Sequence, residues 1–439
     1  MIYDIITSHS PDEVNLYVMD FGSEALKIFK DAPQVGDVLF LSDKEKISRI
    51  FDMLKNELLI RKEKLVEYNG DYKTYLKNAK EPMPLIVAII NNYEAFTENY
   101  LDEYEDVFQM ITREGLKYGI IFVLTASTYN DIRYRLAQNF KQQFALQVNN
   151  EDEYYNIFDK IGKKRPSQLF GRGLIRIDEV VQEFQTARIT NAEEWNNKIK
   201  DEIDGLRKSY ITSARQVPTI PDSVEIEDVK GYLKDLSSVP IGLAKRTLSV
   251  YGWDFEKNFT TLVTAKNIDS ILPFMINVIE EFKMLPNLDI TVLDAERLIK
   301  KTKEELEADY KKFKETIESN NNNYNICVFL GVEKLINDLE GGENELFELI
   351  KKCEDKDNYR FVFVDNANRI KNHEYDSWFK NYVNKEDGIW IGNGIDDQYL
   401  INITGNRRDI VNNCGNSYGY VVKQGQQELI KLLGIKEDN

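Results

Sequence analysis

The chain has 439 residues, 42% of them hydrophobic and 11% aromatic, with a formal net charge of -17. At roughly 150 residues per domain, that length accommodates two or three compact domains whose cores need neither disulfides nor metal. The acidic balance argues against broad binding of nucleic acid, because a phosphate backbone is held by a basic footprint.

In chain order, the first residues read as the end of a helix followed by a turn at Pro11. VNLYVMDF (14–21) and DVLFLS (37–42) read as strands. A long helix is predicted from Lys44 to Tyr68. Ile47, Ile50, Phe51, Leu54, Leu58 and Leu59 recur there at helical spacing, with Asp43 as the N-cap and Asn69-Gly70 as the stop. MPLIVAII (83–90) is apolar throughout, as expected of a parallel strand covered on both faces. A helix over 102–118 and a second buried strand, GIIFVLTAS (119–127), follow. FALQV (144–148) reads as a further strand, and GRGLIRI with QEFQTARI as an antiparallel pair near an edge.

Pro218, Pro221 and Pro240 then punctuate a polar stretch that reads as an interdomain segment. A second alternating series comes after it. FTTLV (259–263) is a strand and 270–282 a helix. LDITVLD (288–294) is a strand, followed by a charged helix to about Glu318. The asparagine run 320–323 is a polar loop. NYNICVFLG (323–331) and YRFVFVDN (359–366) are apolar strands, and GIWIGN and YLINI come last. Strands alternating with helices imply a doubly wound α/β sheet, and two such series imply a duplication. The expected division is a module over 1–205, a linker and entry segment over 206–240, and a second module over 241–439.

The three cysteines, Cys327, Cys353 and Cys414, are widely spaced and contain no Cys-x-x-Cys pair. They predict no disulfide framework and no metal site. The longest apolar run, 85–90, is far short of the roughly 20 residues of a membrane span.

Several segments carry a family resemblance. SPDEVNLYVMDFGSEAL, IRKEKLVEYNGDYKTYLK, MPLIVAIINNYEAF and REGLKYGIIFVLTAS resemble the FtsK/SpoIIIE family of ring ATPases. APQVGDVLF, RYRLAQNFKQQFALQ, VPIGLAKRTLSVYGWD and DGIWIGNGIDDQYL are similar to its type VIIb secretion branch. The resemblance implies two RecA-like P-loop NTPase modules in tandem, the first lacking its N-terminal strand and P-loop. It also implies a parent protein with upstream membrane machinery, assembled as a hexameric ring on the cytoplasmic side of a membrane. The implied partners are secreted Esx/WXG-type helical hairpins and other copies of the chain. The implied role is substrate recognition and regulation of the motor. The competing readings are a DNA translocase fragment, disfavoured by the acidic charge, and a gene remnant.

ATP hydrolysis in such a fold needs a glycine-rich loop with Lys and Ser/Thr, and an Asp-Glu pair at a strand end. The loop pattern Gly-x-x-x-x-Gly-Lys-Ser/Thr is absent from the sequence. The resemblance places Asn91 and Asn92 at the acidic pair, and an amide neither takes a proton nor brings charge to a metal. Glu94, two residues on, would share a strand face with Asn92. In the second module TAKNIDS (264–270) stands where the phosphate loop belongs, and it contains no glycine. Its Thr264, Lys266, Asn267, Asp269 and Ser270 are the candidate remnants, with Asp269 set to repel phosphate. Gly331 falls at the Asp place of that module, with Glu333 nearby. No intact catalytic set and at most weak binding of ATP and magnesium are therefore expected. Ser127, at the end of the second buried strand, is a sensor candidate. Arg113, Arg133 and Arg135 are candidates for contacts across a ring interface. Ile271, Leu272, Met275 and Ile279 form an apolar stripe that is mostly core, and Ile271, Phe274 and Met275 are the substrate-docking candidates, because Met and aromatic side chains adapt to helical partners.

Overall fold

A computed structural model of the chain describes residues 1–148, 150–159, 161–162, 164–190, 194–297, 302–318, 323–404, 410 and 415–436. Asn320, Asn321 and Asn322 of the expected polar loop, and Cys414, lie outside the described residues. The chain divides into unit 1, Met1–Thr219, and unit 2, Ile220–Asn439.

Unit 1 is built on four parallel strands, β1 Val14–Asp20, β2 Val35–Phe40, β3 Leu85–Asn91 and β4 Ile120–Leu124, in the order β2-β1-β3-β4. Alternate side chains go to opposite faces. Tyr17, Met19, Ile86, Ala88 and Ile90 pack in a core with Ile47, Phe51, Leu54 and Leu58 of helix Lys44–Lys64. Leu16, Val18, Val87 and Ile89 pack on the other face with Ile2 and Ile6 of helix Ile2–Ser8 and Ile199 and Ile203 of helix Trp195–Ser209. Asp43 precedes the long helix but its side chain accepts the Phe40 N–H at 2.8 Å, tying the helix start back to β2. Helix Leu101–Glu114 follows β3, and β4 stops at Leu124, short of Ser127.

A small antiparallel sheet of β5 Phe144–Ala145, β6 Arg172–Ile177 and β7 Val180–Gln185 completes the strands of unit 1. The expected β6–β7 pair closes on Asp178 and Glu179, both with positive φ, as a tight hairpin with the sheet's twist requires.

Unit 2 holds β8 Val239–Ala244, β9 Val250–Trp253, β10 Thr260–Ala265, β11 Leu288–Asp294, β12 Tyr324–Leu330, β13 Tyr359–Asn366, β14 Gly388–Ile391, β15 Tyr418–Lys423 and β16 Gln426–Leu432. They form one sheet in the order β11-β12-β13-β10-β14-β15-β16-β8-β9, parallel through β14 and antiparallel beyond it. The 399–403 segment, expected as a strand, is irregular, and the sheet is extended instead by the β15–β16 hairpin.

The two units repeat one scheme. β1, β3 and β4 lie as β11, β12 and β13 do, each with a helix after the middle strand. In unit 2 the next strand is β10, while in unit 1 β4 is the sheet edge among the described residues. The 206–240 segment is shared between the units. Ala214 and Val217 are buried in unit 1, where the Ala214 N–H donates to the Pro33 carbonyl at 2.7 Å. Val224, Val229 and Leu236 are buried in unit 2, which therefore begins its core ahead of residue 241.

Candidate functional site

The carboxyl ends of the parallel strands are where open α/β sheets bind ligands, because the loops there diverge and leave a crevice. In unit 1 these ends are bolted together by amides. Buried Asp20, at the end of β1, accepts from the N–H groups of Gly22 and Leu26 at 3.2 and 3.0 Å and from Asn91 Nδ2 at 2.8 Å. Asn91 Oδ1 accepts from the Thr125 hydroxyl at 2.7 Å, whose oxygen accepts the Asn92 N–H at 3.0 Å. Asn92 Nδ2 donates to the Phe21 carbonyl at 3.2 Å. The two amides thus join β1, β3 and the segment after β4. Asn92 has φ 66, a left-handed conformation that Asn tolerates better than most side chains. Thr125, which sequence reasoning passed over in favour of Ser127, is the hydroxyl in contact with the amide pair, and Ser127 lies exposed in the following bend. Glu94 is exposed within helix Tyr93–Asn99, so the shared strand face expected of it with Asn92 does not exist.

The three arginines expected as candidates for contacts across a ring interface are surface groups. Arg113 pairs with Glu114 at 2.5 Å and Arg133 with Glu105 at 3.1 Å. Arg135 is exposed and forms no ion pair among the described residues. Arg61 is the missed arginine. It is buried, and donates to the carbonyls of Tyr118, Gly119 and Pro84 and to Glu57 at 2.8–3.1 Å. A guanidinium matched to three backbone carbonyls is a structural tie between the long helix and the starts of β3 and β4.

In unit 2 the loop after β10 has turned its polar groups inward. Thr264 is buried and its hydroxyl donates to the Asp365 carbonyl at 2.8 Å. The N–H of Asp269 donates to Asn267 Oδ1 at 3.2 Å, that of Ser270 to the Asn267 carbonyl at 3.3 Å, and that of Ile271 to the Ile268 carbonyl at 2.9 Å. A phosphate loop presents such N–H groups to an anion. Here a 3-10 turn over Ile268–Ser270 consumes them, and the Asp269 carboxylate is exposed at its rim. Lys266 crosses Gly394 and pairs with Asp397 at 3.3 Å.

Gly331 begins helix Val332–Asp338 with φ 81, in the place that Asn92 takes in unit 1. It therefore matches the second amide of that pair and not the first. A Cβ on Gly331 would come within 2.4 Å of Glu296 Cγ. The Glu333 N–H donates to buried Asp365 at 2.9 Å. Burial raises the Asp365 carboxyl above its ordinary range, opposed by the amides of Glu333 and Asn366 and by Arg369. Arg369 sits among three carboxylates, bonded to Glu296 and 3.4 Å from both Glu333 and Asp365. Lys334 also binds Glu296. The acids at these strand ends are thus engaged by the chain's own cations.

The residues present do not fit a magnesium nucleotide. The unit 2 loop has no glycine, its Asp269, Ser270 and Ile271 amides are bonded within the turn, and its acidic neighbours are held by Arg369. Ile271, Phe274 and Met275 are 0%, 0% and 1% exposed, packed against β-strand residues such as Val263, Val364 and Ile391. They belong to the core and present nothing to a partner. A cavity of about 320 Å³ lies on the other face of the sheet, lined by residues at and after the ends of β10, β13 and β14, among them Lys266, Lys371, Trp390, Gln398 and Tyr399.

Residues 1–177 match the FtsK/SpoIIIE family. The type VII secretion system protein EssC of Staphylococcus aureus (strain MRSA252) is 27% identical over 281 residues, 60% of this chain and 18% of its own length. The ESX secretion system protein YukB of Bacillus subtilis (strain 168) is 26% identical over 263 residues, 58% of this chain and 18% of its own length. The chain thus spans less than a fifth of the curated relatives it matches. The solved EssC (ATPases 2 and 3) from Geobacillus thermodenitrificans superposes with a TM-score of 0.80 at 19% identity, over 99% of this chain and 88% of that one. Thermomonospora curvata EccC (ATPases 2 and 3) in complex with a signal sequence peptide superposes with a TM-score of 0.62 at 19% identity, over 99% and 85%. The fold is that of tandem RecA-like ATPase modules.

Proposed function

We propose that this chain, similar to the FtsK/SpoIIIE-family secretion proteins EssC and YukB, forms cytoplasmic modules of a type VII secretion coupling protein that recognise substrate and regulate the motor without hydrolysing ATP themselves. The observation that carries this reading is the glycine-free loop 264–270, in which the Asp269 and Ser270 N–H groups are bonded back to Asn267 within a 3-10 turn. A phosphate loop would turn these N–H groups toward the anion instead. The Asn91–Asn92 pair supports the same view, since both side chains are engaged in holding strands together. ATP and magnesium bind weakly at best, and the modules act as a docking platform.

The partners under this reading are secreted helical hairpins of the Esx/WXG type, other copies of the chain in a hexameric ring, and membrane machinery elsewhere in the parent protein. The peptide held by the EccC relative supports a role in recognising a substrate tail. None of the described helices is long and apolar enough to cross a membrane. The test is fluorescence anisotropy of a labelled substrate tail titrated with the chain, with and without magnesium ATP. Saturable binding that ATP leaves unchanged is expected. Binding that appears only with ATP would overturn the proposal.

A further inference from the structure

Beyond the docking role, we propose that the outer face of the small sheet β5–β6–β7 is a self-association surface, which a second copy of this chain covers with the same face about a two-fold axis. Strand register sets Phe144 opposite Ile175, Ile177 opposite Val180, and Gly173 opposite Phe184, so Phe144, Ile175, Ile177, Val180 and Phe184 share one face. The Phe144 and Phe184 rings meet edge to face on it, 5.9 Å between centroids. The other face is closed, with Ala145, Leu174 and Val181 packed against Tyr154 and Phe158 of helix Asp152–Phe158.

Unit 2 shows how such a face is normally covered. β14, β15 and β16 repeat the order and antiparallel sense of β5, β6 and β7, and both hairpins close on two residues of positive φ, Gln424-Gly425 and Asp178-Glu179. Aligned on those turns, Phe144, Ile175 and Phe184 take the places of Ile389, Val421 and Ile430. Those three unit 2 residues are at most 1% exposed, in one core with helix Leu272–Met284. In unit 1 Phe144 is 61% exposed, Val180 51%, Ile177 45%, and Leu146, two residues after Phe144, 52%. Leu169 at 58% and Phe170 at 100% extend the apolar strip, their carbonyls accepting from Gln147 Nε2 at 3.2 Å and Gln185 Nε2 at 3.0 Å. The face has the residues of a core and the exposure of a surface.

Area and charge select the occupant. At roughly 150–250 Å² for a fully exposed aromatic side chain and less for an aliphatic one, those six exposed residues leave on the order of 600 Å² of apolar surface open, the upper end of what a monomer carries. A matching face removes about twice that from water, roughly 1,200 Å² before any rim is counted, which reaches the range of specific interfaces. The strand positions of this face hold no ionic side chain, its polar residue being Gln182, so like charges do not meet when the face packs on its own copy. The charges sit at opposite ends. Exposed Asp178 and Glu179 form the turn, and exposed Arg188 stands three residues beyond β7, about 20 Å away along the strand. An antiparallel two-fold pairing lays each acidic turn against Arg188 of the second copy. Such a contact joins like surfaces, and so differs from the head-to-tail contacts of a ring.

The experiment is sedimentation velocity of the full chain from about 1 to 100 μM, a span that brackets a micromolar contact. The wild type is expected to pass from monomer to dimer. Phe144→Lys and Val180→Lys, both at exposed positions and each checked for an unchanged melting curve, should raise the dissociation constant about tenfold or more. Leu116→Lys, equally exposed on the turn Gly115–Tyr118, should change it less than about twofold. Arg188→Glu should weaken the dimer, and adding Asp178→Lys and Glu179→Lys to it should restore association. A wild type that stays monomeric across the range would overturn the proposal. So would equal weakening by Leu116→Lys, growth beyond a dimer, or a triple variant that fails to recover. None of these results touches the docking role, which is read from tail binding.

Discussion

Glu281 offers a sharp test of how unit 2 is packed. It lies on the helix Leu272–Met284, is 0% exposed, and neither carboxylate oxygen has a hydrogen-bond partner among the described residues. Burial pushes its pKa up from 4.5 to about 8. The folded state then binds a proton that the unfolded state releases between pH 4.5 and 8, so stability falls as pH rises through that window. At 1.36 kcal/mol per pH unit, the buried acid withholds about 3 kcal/mol at pH 7 and up to about 5 kcal/mol above pH 8. Relaxation and water entry around the charge reduce these limits, and a measured difference of about 2 kcal/mol is the expectation at pH 8.5. Glu281→Gln keeps the shape and removes the titration. Urea unfolding of both proteins, following the unit 2 transition, should give similar stabilities at pH 5 and a more stable Gln variant at pH 8.5. An equal difference between the two proteins at both values would mean that Glu281 does not change its protonation on folding, and would refute the reasoning.

Arg61→Met leaves the Tyr118, Gly119 and Pro84 carbonyls without their donor and should cost unit 1 about 3 kcal/mol in urea unfolding. Arg61→Lys should recover less than half of that, because one ammonium cannot reach three carbonyls in a fixed fork. Gly331→Ala combines φ 81 with a Cβ contact at 2.4 Å to Glu296, and should lower unit 2 stability by about 2 kcal/mol. Asn91→Asp with Asn92→Glu should release no phosphate from ATP, and should destabilise unit 1 because the new carboxylates cannot donate to Asp20 and Phe21 as the amides do; a gain of turnover would show that the two amides alone had silenced the site.

The apolar strands were legible because burial on both faces leaves an unbroken hydrophobic run: 83–90 gave β3, and the runs at 288–294, 323–331 and 359–366 gave β11, β12 and β13. The antiparallel end of the unit 2 sheet was not. β15 reads YGYVVK and β16 QQELIKL, where polar residues and glycine interrupt the pattern. Their place is set by pairing with β14 and β8, which no local period records. In the helix Leu272–Met284 the stripe was visible, but its width was not. Phe274 and Met275 are enclosed because the sheet beneath them carries β10, β13 and β14 side by side.

At the site, the loss of glycine from 264–270 was readable from the residues alone. What replaced the phosphate loop was not, since the turn at Ile268–Ser270 depends on Asn267 accepting the Asp269 N–H. Thr125 was passed over because the apolar run continues past it to Ala126, while the hydrogen-bonded strand ends at Leu124. Arg61 looked like one charge among many on a long helix. Asp365 and Arg369 are four residues apart, but Glu296 lies after β11, and only the sheet order brings it to them.

The central claim is that these strand ends no longer turn over nucleotide. It is tested most directly by continuous phosphate release from magnesium ATP by the purified full chain, alone and with a saturating substrate tail peptide. The account predicts the same background rate in both cases, unchanged by Ser270→Ala. Magnesium-dependent release above background that Ser270→Ala abolishes would contradict it.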